Sequence, residues 1–249
     1  MKLLLALPLT LLLHAQLVLL GLISLTWNAV AMLLYPLLPR PRGRAVGRAG
    51  IAYGYRLFWA IARCSGMLRI DNRVLDALRD EPGLIVVANH PSMIDALALV
   101  ARLPRSACIM KAQLMRNLFL GAGARLARYI RNDSPRSMVR LAIEDLRAGG
   151  QLVIFPEGTR TTRHPVNPFR PGVTLIAKLA KAPIQTVFID TDSPYLSKGW
   201  PIWRLPPLPI VFTLRLGERF APSPDADALL RQLEDYFAAN VKPPASHKP

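Results

Sequence analysis

Hydrophobic and polar positions divide the chain into stretches of different character. Residues 3–39 form a run of 37 without an Asp, Glu, Lys or Arg. As one helix they would measure roughly 55 Å, against a bilayer hydrocarbon core of about 30 Å. Pro8 and Pro36 break the run near its ends, and Gly21 and Ser24 offer a softer point in its middle. Two arrangements fit: a single tilted span with interfacial ends, or two shorter helices forming a re-entrant hairpin in one leaflet. A cleaved signal peptide fits poorly, because the basic leader is one lysine, the apolar run is too long and no small-x-small site follows. Next come Arg40, Arg42, Arg44, Arg48, Arg56, Arg63 and Arg69, with no acidic residue before Asp71 and with Tyr53, Tyr55, Phe58 and Trp59 interleaved. That mixture predicts a basic amphipathic helix at headgroup level, with a solvated basic helix on a soluble domain as the alternative. Basic residues beside an apolar segment mark its cytoplasmic side.

Further on, short apolar runs alternate with helical stretches. Residues 83–88, 107–110, 151–155, 184–189 and 210–216 read as strands, the first as a fully buried one. Helices are expected over 92–103, over 112–128 with interruptions at Gly121 and Gly123, and from Ser134-Pro135 to Gly149. Two more are expected over 172–181 and from Ser223-Pro224 to about Ala239, the latter with Asp225 and Asp227 in its first turn. Strands alternating with helices imply an α/β fold, with a mainly parallel central sheet flanked by helices and an N-terminal membrane-embedded helical segment. The expected organisation is a membrane anchor (1–39), a basic interfacial segment (40–73), an α/β domain (74–241) and a polar tail (242–249).

Composition narrows the function classes. The 249 residues hold 32 Lys plus Arg against 16 Asp plus Glu, a net charge of +16, yet 51% are hydrophobic. A disordered basic tail is too polar to match, and a polytopic transporter needs more apolar spans. Cys64 and Cys108 make neither a disulfide framework nor a Cys-rich metal pattern. No nucleic-acid-binding module is recognisable, and the densest Arg cluster abuts the apolar run. A membrane surface bearing anionic lipid suits the charge better than nucleic acid does.

Two loops directly after strands carry candidate chemistry. In Asn89-His90-Pro91-Ser92-Met93-Ile94-Asp95, Pro91 ends the strand's hydrogen bonding and Ser92 can cap the following helix. Asp95 then falls in that helix's first turn and can return its carboxylate to His90. A carboxylate on one ring nitrogen fixes the tautomer and leaves the other as a base. An ordinary turn histidine beside a helix-start aspartate is the plainer alternative. In Phe155-Pro156-Glu157-Gly158-Thr159-Arg160, Gly158 permits a turn that exposes backbone N–H groups. Arg160 offers a planar fork for phosphate or carboxylate, and Glu157 can accept from hydroxyl groups. Alone it is a polar loop; two such loops at the carboxyl ends of one sheet can face one crevice. No metal site is suggested, since neither H-E-x-x-H nor clustered Cys and His occurs. No G-x-S-x-G nucleophile is present either.

Together these segments resemble the glycerolipid (lysophospholipid) acyltransferase family, which includes the 1-acylglycerol-3-phosphate acyltransferases. Asn89, His90, Ser92 and Asp95 match its first motif, and Phe155 to Arg160 match its third without a gap, about 65 residues later. The resemblance covers residues 84–189. In the second motif Ile130 and Arg131 fit, but Arg125 stands where the family usually has glycine; the fourth is matched loosely by residues 183–187. The resemblance implies transfer of a fatty acyl group from a thioester, on coenzyme A or acyl carrier protein, to a lysophospholipid hydroxyl, with no cofactor. 1-Acylglycerol-3-phosphate is the expected acceptor and phosphatidic acid the product. His90 would be the general base and Asp95 its support. Glu157, Gly158, Thr159, Arg160 and Arg131 would bind the acceptor, with Asn89, Ser92, Phe155 and Pro156 supporting the motifs. Lys111, Arg116, Arg125, Arg128 and Arg131 are candidates for contact with a phosphate-bearing or acidic donor. The expected location is the cytoplasmic face of the inner (plasma) membrane. A non-phosphate lipid acceptor and a non-catalytic basic membrane-binding protein are the alternatives. The stretch 194–209, with Lys198, Trp200, Trp203 and Arg204, reads either as interfacial or as a Pro-rich loop packed on the sheet.

Overall fold

The uninterrupted apolar sequence makes one long helix: in the computed structural model, which describes residues 2–242, α1 runs Lys2–Leu37 straight through Pro8. Neither the prolines nor Gly21 divides it, so there is no hairpin within this segment. Its hairpin partner is α2 (Arg40–Cys64), which turns back after Pro39 and packs along it. Pro41 falls in the first turn of α2, where a missing N–H removes no helical bond.

One face of α1 is docked and the other is bare. Leu13, Gln16, Asn28 and Ala31 are buried, while Leu11, Val18, Leu22 and Leu33 point outward. Polar and shape-specific contacts choose the docked face. The Gln16 amide donates to Ser65 Oγ at 2.7 Å. Asn28 Oδ1 accepts the Gly123 N–H at 2.8 Å, and its amide donates to the Ser24 and Phe119 carbonyls. The Trp27 indole fills a notch between Gly50 and Gly123, where any side chain would collide with the ring.

α2 departs from the expected headgroup helix. Phe58 and Trp59 lie in the core, and Arg48 is only 3% exposed; of the four aromatics only Tyr53 stands well out into solvent. Burial of Arg48 is offset by a partner at each nitrogen: Nε donates to the Ala127 carbonyl (3.0 Å), Nη1 to the Arg105 carbonyl (2.8 Å) and Nη2 to Asp145 Oδ1 (2.7 Å). Arg44 reaches the same carboxylate oxygen at 3.1 Å from a more exposed position. Beside Arg48, Gly47 lets α2 touch the backbone at Ala127.

The α/β domain is built on a seven-stranded sheet in the order β1-β7-β6-β2-β5-β3-β4. The strands are β1 Leu68–Asp71, β2 Ile85–Ala88, β3 Ser106–Met110, β4 Ile130–Arg131, β5 Gln151–Ile154, β6 Ile184–Thr191 and β7 Ile210–Phe220. All pairings are parallel except β6 with β7. Central β2 is buried on both faces, as its unbroken apolar run requires. Val86 and Ala88 pack with Phe58, Trp59, Leu68 and Phe212 beneath α2 and α3 (Asp95–Val100). Ile85 and Val87 face the opposite layer, formed by α5 (Pro135–Arg147), α6 (Gly172–Ala180) and α7 (Ala226–Asn240).

Several boundaries differ from expectation for local reasons. The helix expected over 112–128 is a 3-10 turn at Ala112–Arg116 followed by α4 (Gly121–Leu126), because the chain between them extends at Asn117. Asp225 is the N-cap of α7 rather than part of its first turn, accepting the Ala228 N–H at 2.8 Å. Ser134 caps α5 as expected.

Removing Asp145 leaves a buried guanidinium without its counter-charge. Asp145→Ala is expected to cost about 3–5 kcal/mol, against about 0–1 kcal/mol for removing the more exposed Arg44. Thermal unfolding of the two variants in one detergent checks the ranking, and equal midpoints would refute it.

Candidate active site

The site assembles where β2 and β5 end side by side. β2 stops at Ala88, and the Asn89 side chain takes over its pairing. Its amide donates to the Ile189 carbonyl (3.0 Å) and its oxygen accepts the Ile189 N–H (2.7 Å), clasping the loop to β6. His90 follows, its ring stacked on Phe155 from the end of β5 with centroids 4.0 Å apart. The His90 carbonyl accepts the Thr161 N–H at 2.8 Å, so the two loops are bonded through their backbones as well.

Asp95 organises the turn. Its side chain is fully buried, and Oδ2 accepts from His90 Nδ1 at 2.9 Å and from the Ser92 N–H at 2.7 Å. The expected cap is therefore reversed: the carboxylate closes the turn around Ser92, and the Ser92 hydroxyl donates to the Tyr195 carbonyl instead (2.9 Å). Burial pushes the Asp95 carboxyl upward, while the hydrogen bond from His90 pulls it down. With Nδ1 engaged, Nε2 is the ring nitrogen with no hydrogen-bond partner among the described residues, on a part-exposed ring.

Glu157, expected to bind the acceptor, is instead buried and bonded within the protein. It is 3% exposed, and its oxygens accept from the His90 N–H (3.2 Å), the Thr161 hydroxyl (2.6 Å) and the Asn167 N–H (2.9 Å). Its part is to hold the two loops in register. Gly158 has φ +69°, and its N–H closes the turn onto the Phe155 carbonyl (3.0 Å) instead of projecting outward. Arg170 packs against Gly158 where a Cβ would stand. Arg160 donates Nη1 to the Leu196 and Ser197 carbonyls (2.8 and 3.0 Å), and its Nε and Nη2 have no hydrogen-bond partner among the described residues. Pro156 is buried behind the turn, and Thr159 is partly exposed on it.

Arg131 is not brought to this crevice by the same elements. It lies on edge strand β4, paired with Asp133, and two strands stand between it and β2. At ordinary strand spacing that is about 14 Å. Two residues escaped the sequence reading. Asn167 Oδ1 gathers the Thr162 and Arg163 N–H groups and the Thr162 hydroxyl, and its amide donates to the Arg160 carbonyl. Arg170 adds a cation to the rim, and its N–H donates to the Pro156 carbonyl. Asn167-Pro168 was a visible turn signal, but nothing local tied it to Glu157.

Comparison with known proteins points to one family. Residues 69–190 match the family model described as Acyltransferase. The 1-acyl-sn-glycerol-3-phosphate acyltransferase of Limnanthes douglasii is 25% identical over 235 residues, 91% of this chain and 79% of that protein. The Pseudomonas aeruginosa protein of the same description is 25% identical over 186 residues, 71% and 70% of the two. A putative 1-acyl-sn-glycerol-3-phosphate acyltransferase of Caenorhabditis elegans is 26% identical over 137 residues, so the chain spans about half of its length. In fold, the crystal structure of the 1-acyl-sn-glycerophosphate acyltransferase PlsC from Thermotoga maritima superposes with a TM-score of 0.70. That likeness holds at 23% identity and covers 97% of this chain and 96% of that one.

The Asn89 clasp makes a structural prediction. Asn89→Ala strands a buried N–H and carbonyl on β6, at about 1–3 kcal/mol for each group that stays unsatisfied. Hydrogen exchange at Ile189 should quicken in the variant; unchanged protection there would contradict the clasp.

Proposed function

We infer that this chain, acyltransferase-like over residues 69–190, transfers a fatty acyl group from a thioester of coenzyme A or acyl carrier protein to the free hydroxyl of 1-acylglycerol-3-phosphate. The observation that carries this reading is the His90–Asp95 pair at the strand ends, with Nε2 unengaged and Arg160 in the neighbouring loop. In the reaction, Nε2 removes the proton from the acceptor hydroxyl as its oxygen attacks the thioester carbonyl. The tetrahedral intermediate then expels the thiolate, which takes the proton back from His90, leaving an ester and a free thiol. A thioester is already activated, so no protein nucleophile is needed. Burial pushes the Cys108 thiol up to about 12, far from a reactive thiolate.

Position supplies more of the rate than the base does. General-base help contributes about 10²–10⁴, whereas holding two reactants in line can contribute up to about 7–11 kcal/mol. Arg160, through Nε and Nη2, and Arg170 on the same rim suit a phosphate. The long apolar face of α1 supports attachment to the membrane that carries such an acceptor. It is the helix in the described residues long and apolar enough to cross one. Because residues from Leu13 to Tyr35 engage α2, α4 and neighbouring segments, the helix suits lying against one leaflet better than crossing it. The basic excess after it supports the cytoplasmic face.

Membranes containing the protein, given acyl-CoA or acyl-ACP with lysophosphatidic acid or uncharged lyso-acceptors, test this. His90→Ala and Asp95→Asn should each lower turnover by about 10²–10⁴, and unchanged product in the His90 variant would sink the mechanism. Arg160→Ala should raise KM about 10- to 100-fold more for the phosphate acceptor than for an uncharged one. Transfer confined to uncharged acceptors would favour a non-phosphate substrate.

A further inference from the structure

The connection from β6 to β7 covers residues 192–209, long for a loop without secondary structure of its own, and such loops are usually functional. Its base is buried and tied to both loops of the candidate site. Ser92 Oγ donates to the Tyr195 carbonyl (2.9 Å), the Met93 N–H to the Leu196 carbonyl (3.0 Å), and Arg160 Nη1 to the Leu196 and Ser197 carbonyls. Its far end is folded rather than slack. The Trp200 N–H donates to the Ser197 carbonyl and the Arg204 N–H to the Pro201 carbonyl, closing two successive turns. Trp200 Nε1 donates to the Arg204 carbonyl (3.3 Å), and the Arg204 guanidinium sits 4.9 Å over the Trp200 ring.

This bracing turns Ile202 and Trp203 outward, 50% and 73% exposed, at the tip. Two large apolar side chains fixed in water is an unfavourable arrangement unless something covers them. Lys198 and Arg204 flank them, and Trp beside cations is the composition of a membrane interface. The loop and α1 also share a core layer. Trp200, Leu205 and Leu208 pack on the same core cluster as Leu9 and Leu17. Where the loop enters β7, the Ile210 N–H donates to the Met67 carbonyl (2.7 Å), and Met67 Sδ is itself in contact with Gln16 of α1.

We propose that residues 192–209 form a second membrane-insertion element: the Ile202–Trp203 tip enters an anionic lipid surface, and the base transmits that contact to the His90 crevice. This rests on the membrane location proposed above but not on the reaction. Insertion of the tip draws the crevice loops bonded to Tyr195, Leu196 and Ser197 toward the bilayer and shortens the path of a lipid acceptor from the leaflet to His90.

The test uses the full chain in nanodiscs of zwitterionic and anionic lipid, with and without bromine on the acyl chains. The difference between wild-type and Trp203→Phe fluorescence isolates Trp203, and bromine is expected to quench it. A Leu33→Trp substitution in the Trp203→Phe background reports α1 separately. Quenching at position 33 with none at Trp203 would overturn the proposal while the membrane reading stands; quenching at neither would remove both. In turnover, Trp203→Ala should raise KM for vesicle-borne acceptor about 10-fold and leave a short-chain, water-soluble acceptor unaffected. Equal effects on the two acceptors would overturn the coupling to the crevice.

Discussion

A carboxylate with no access to water dictates the geometry around His90. Asp95 is fully buried, and two N–H donors meet its Oδ2 while Oδ1 has no hydrogen-bond partner among the described residues. A charge in that position is costly unless compensated, so the His90-Pro91-Ser92 turn has to wrap around it. The compensation is incomplete while the imidazole is neutral and improves when the ring takes a proton. In the proposed reaction that moment is the transition state. An interaction that strengthens only then accelerates the step, whereas one already complete in the ground state would not. Poor solvation of Asp95 thus costs stability and serves the chemistry.

The same economy governs the join between the helical hairpin and the α/β domain. If α1 lies in lipid, as proposed, its outward leucines and its inward ones have equally apolar surroundings, and hydrophobicity cannot choose which face docks. Asn28 on Gly123, Gln16 on Ser65 and the Trp27 notch make that choice by hydrogen bonds and shape. On α2 the choice falls to Arg48, whose guanidinium has partners at Ala127, Arg105 and Asp145 and nowhere to go if the helix turns. The price of these buried polar groups is loss of tolerance, since each must keep its partners.

What the sequence made legible was whatever is local in the chain. β2, β3, β5, β6 and β7 announced themselves by apolar runs, Ser134-Pro135 marked a helix start, and the segment from His90 to Asp95 carried its own partner. β1 was missed because Arg69 and Asp71 interrupt its apolar positions, and β4 because two residues are too few to show a pattern. The destinations of polar side chains were harder. Arg48 read as a headgroup cation and Glu157 as an acceptor-binding group because their partners lie 97 and up to 67 residues away. Arg131 read as a site residue because a motif position says nothing about which strand of the sheet carries it.

Topology explains why the crevice and the apolar surface belong together. β7 runs antiparallel to β6, so it begins where β6 ends, with Thr191 opposite Phe212. β1 is parallel to β7, with Leu68 opposite Ile210, and therefore starts at that same edge. β6 is parallel to β2, which makes this edge the one at which Ala88 hands over to His90. The end of α2 precedes β1 directly, and Gln16 of α1 bonds there to Ser65. One reversal of strand direction thus gathers the N-terminal half of α1, the 192–209 loop and the His90 crevice along a single rim. Had β7 been parallel to β6, its entry and the start of β1 would lie at the opposite rim. The apolar helix would then approach the sheet a strand's length away from the chemistry.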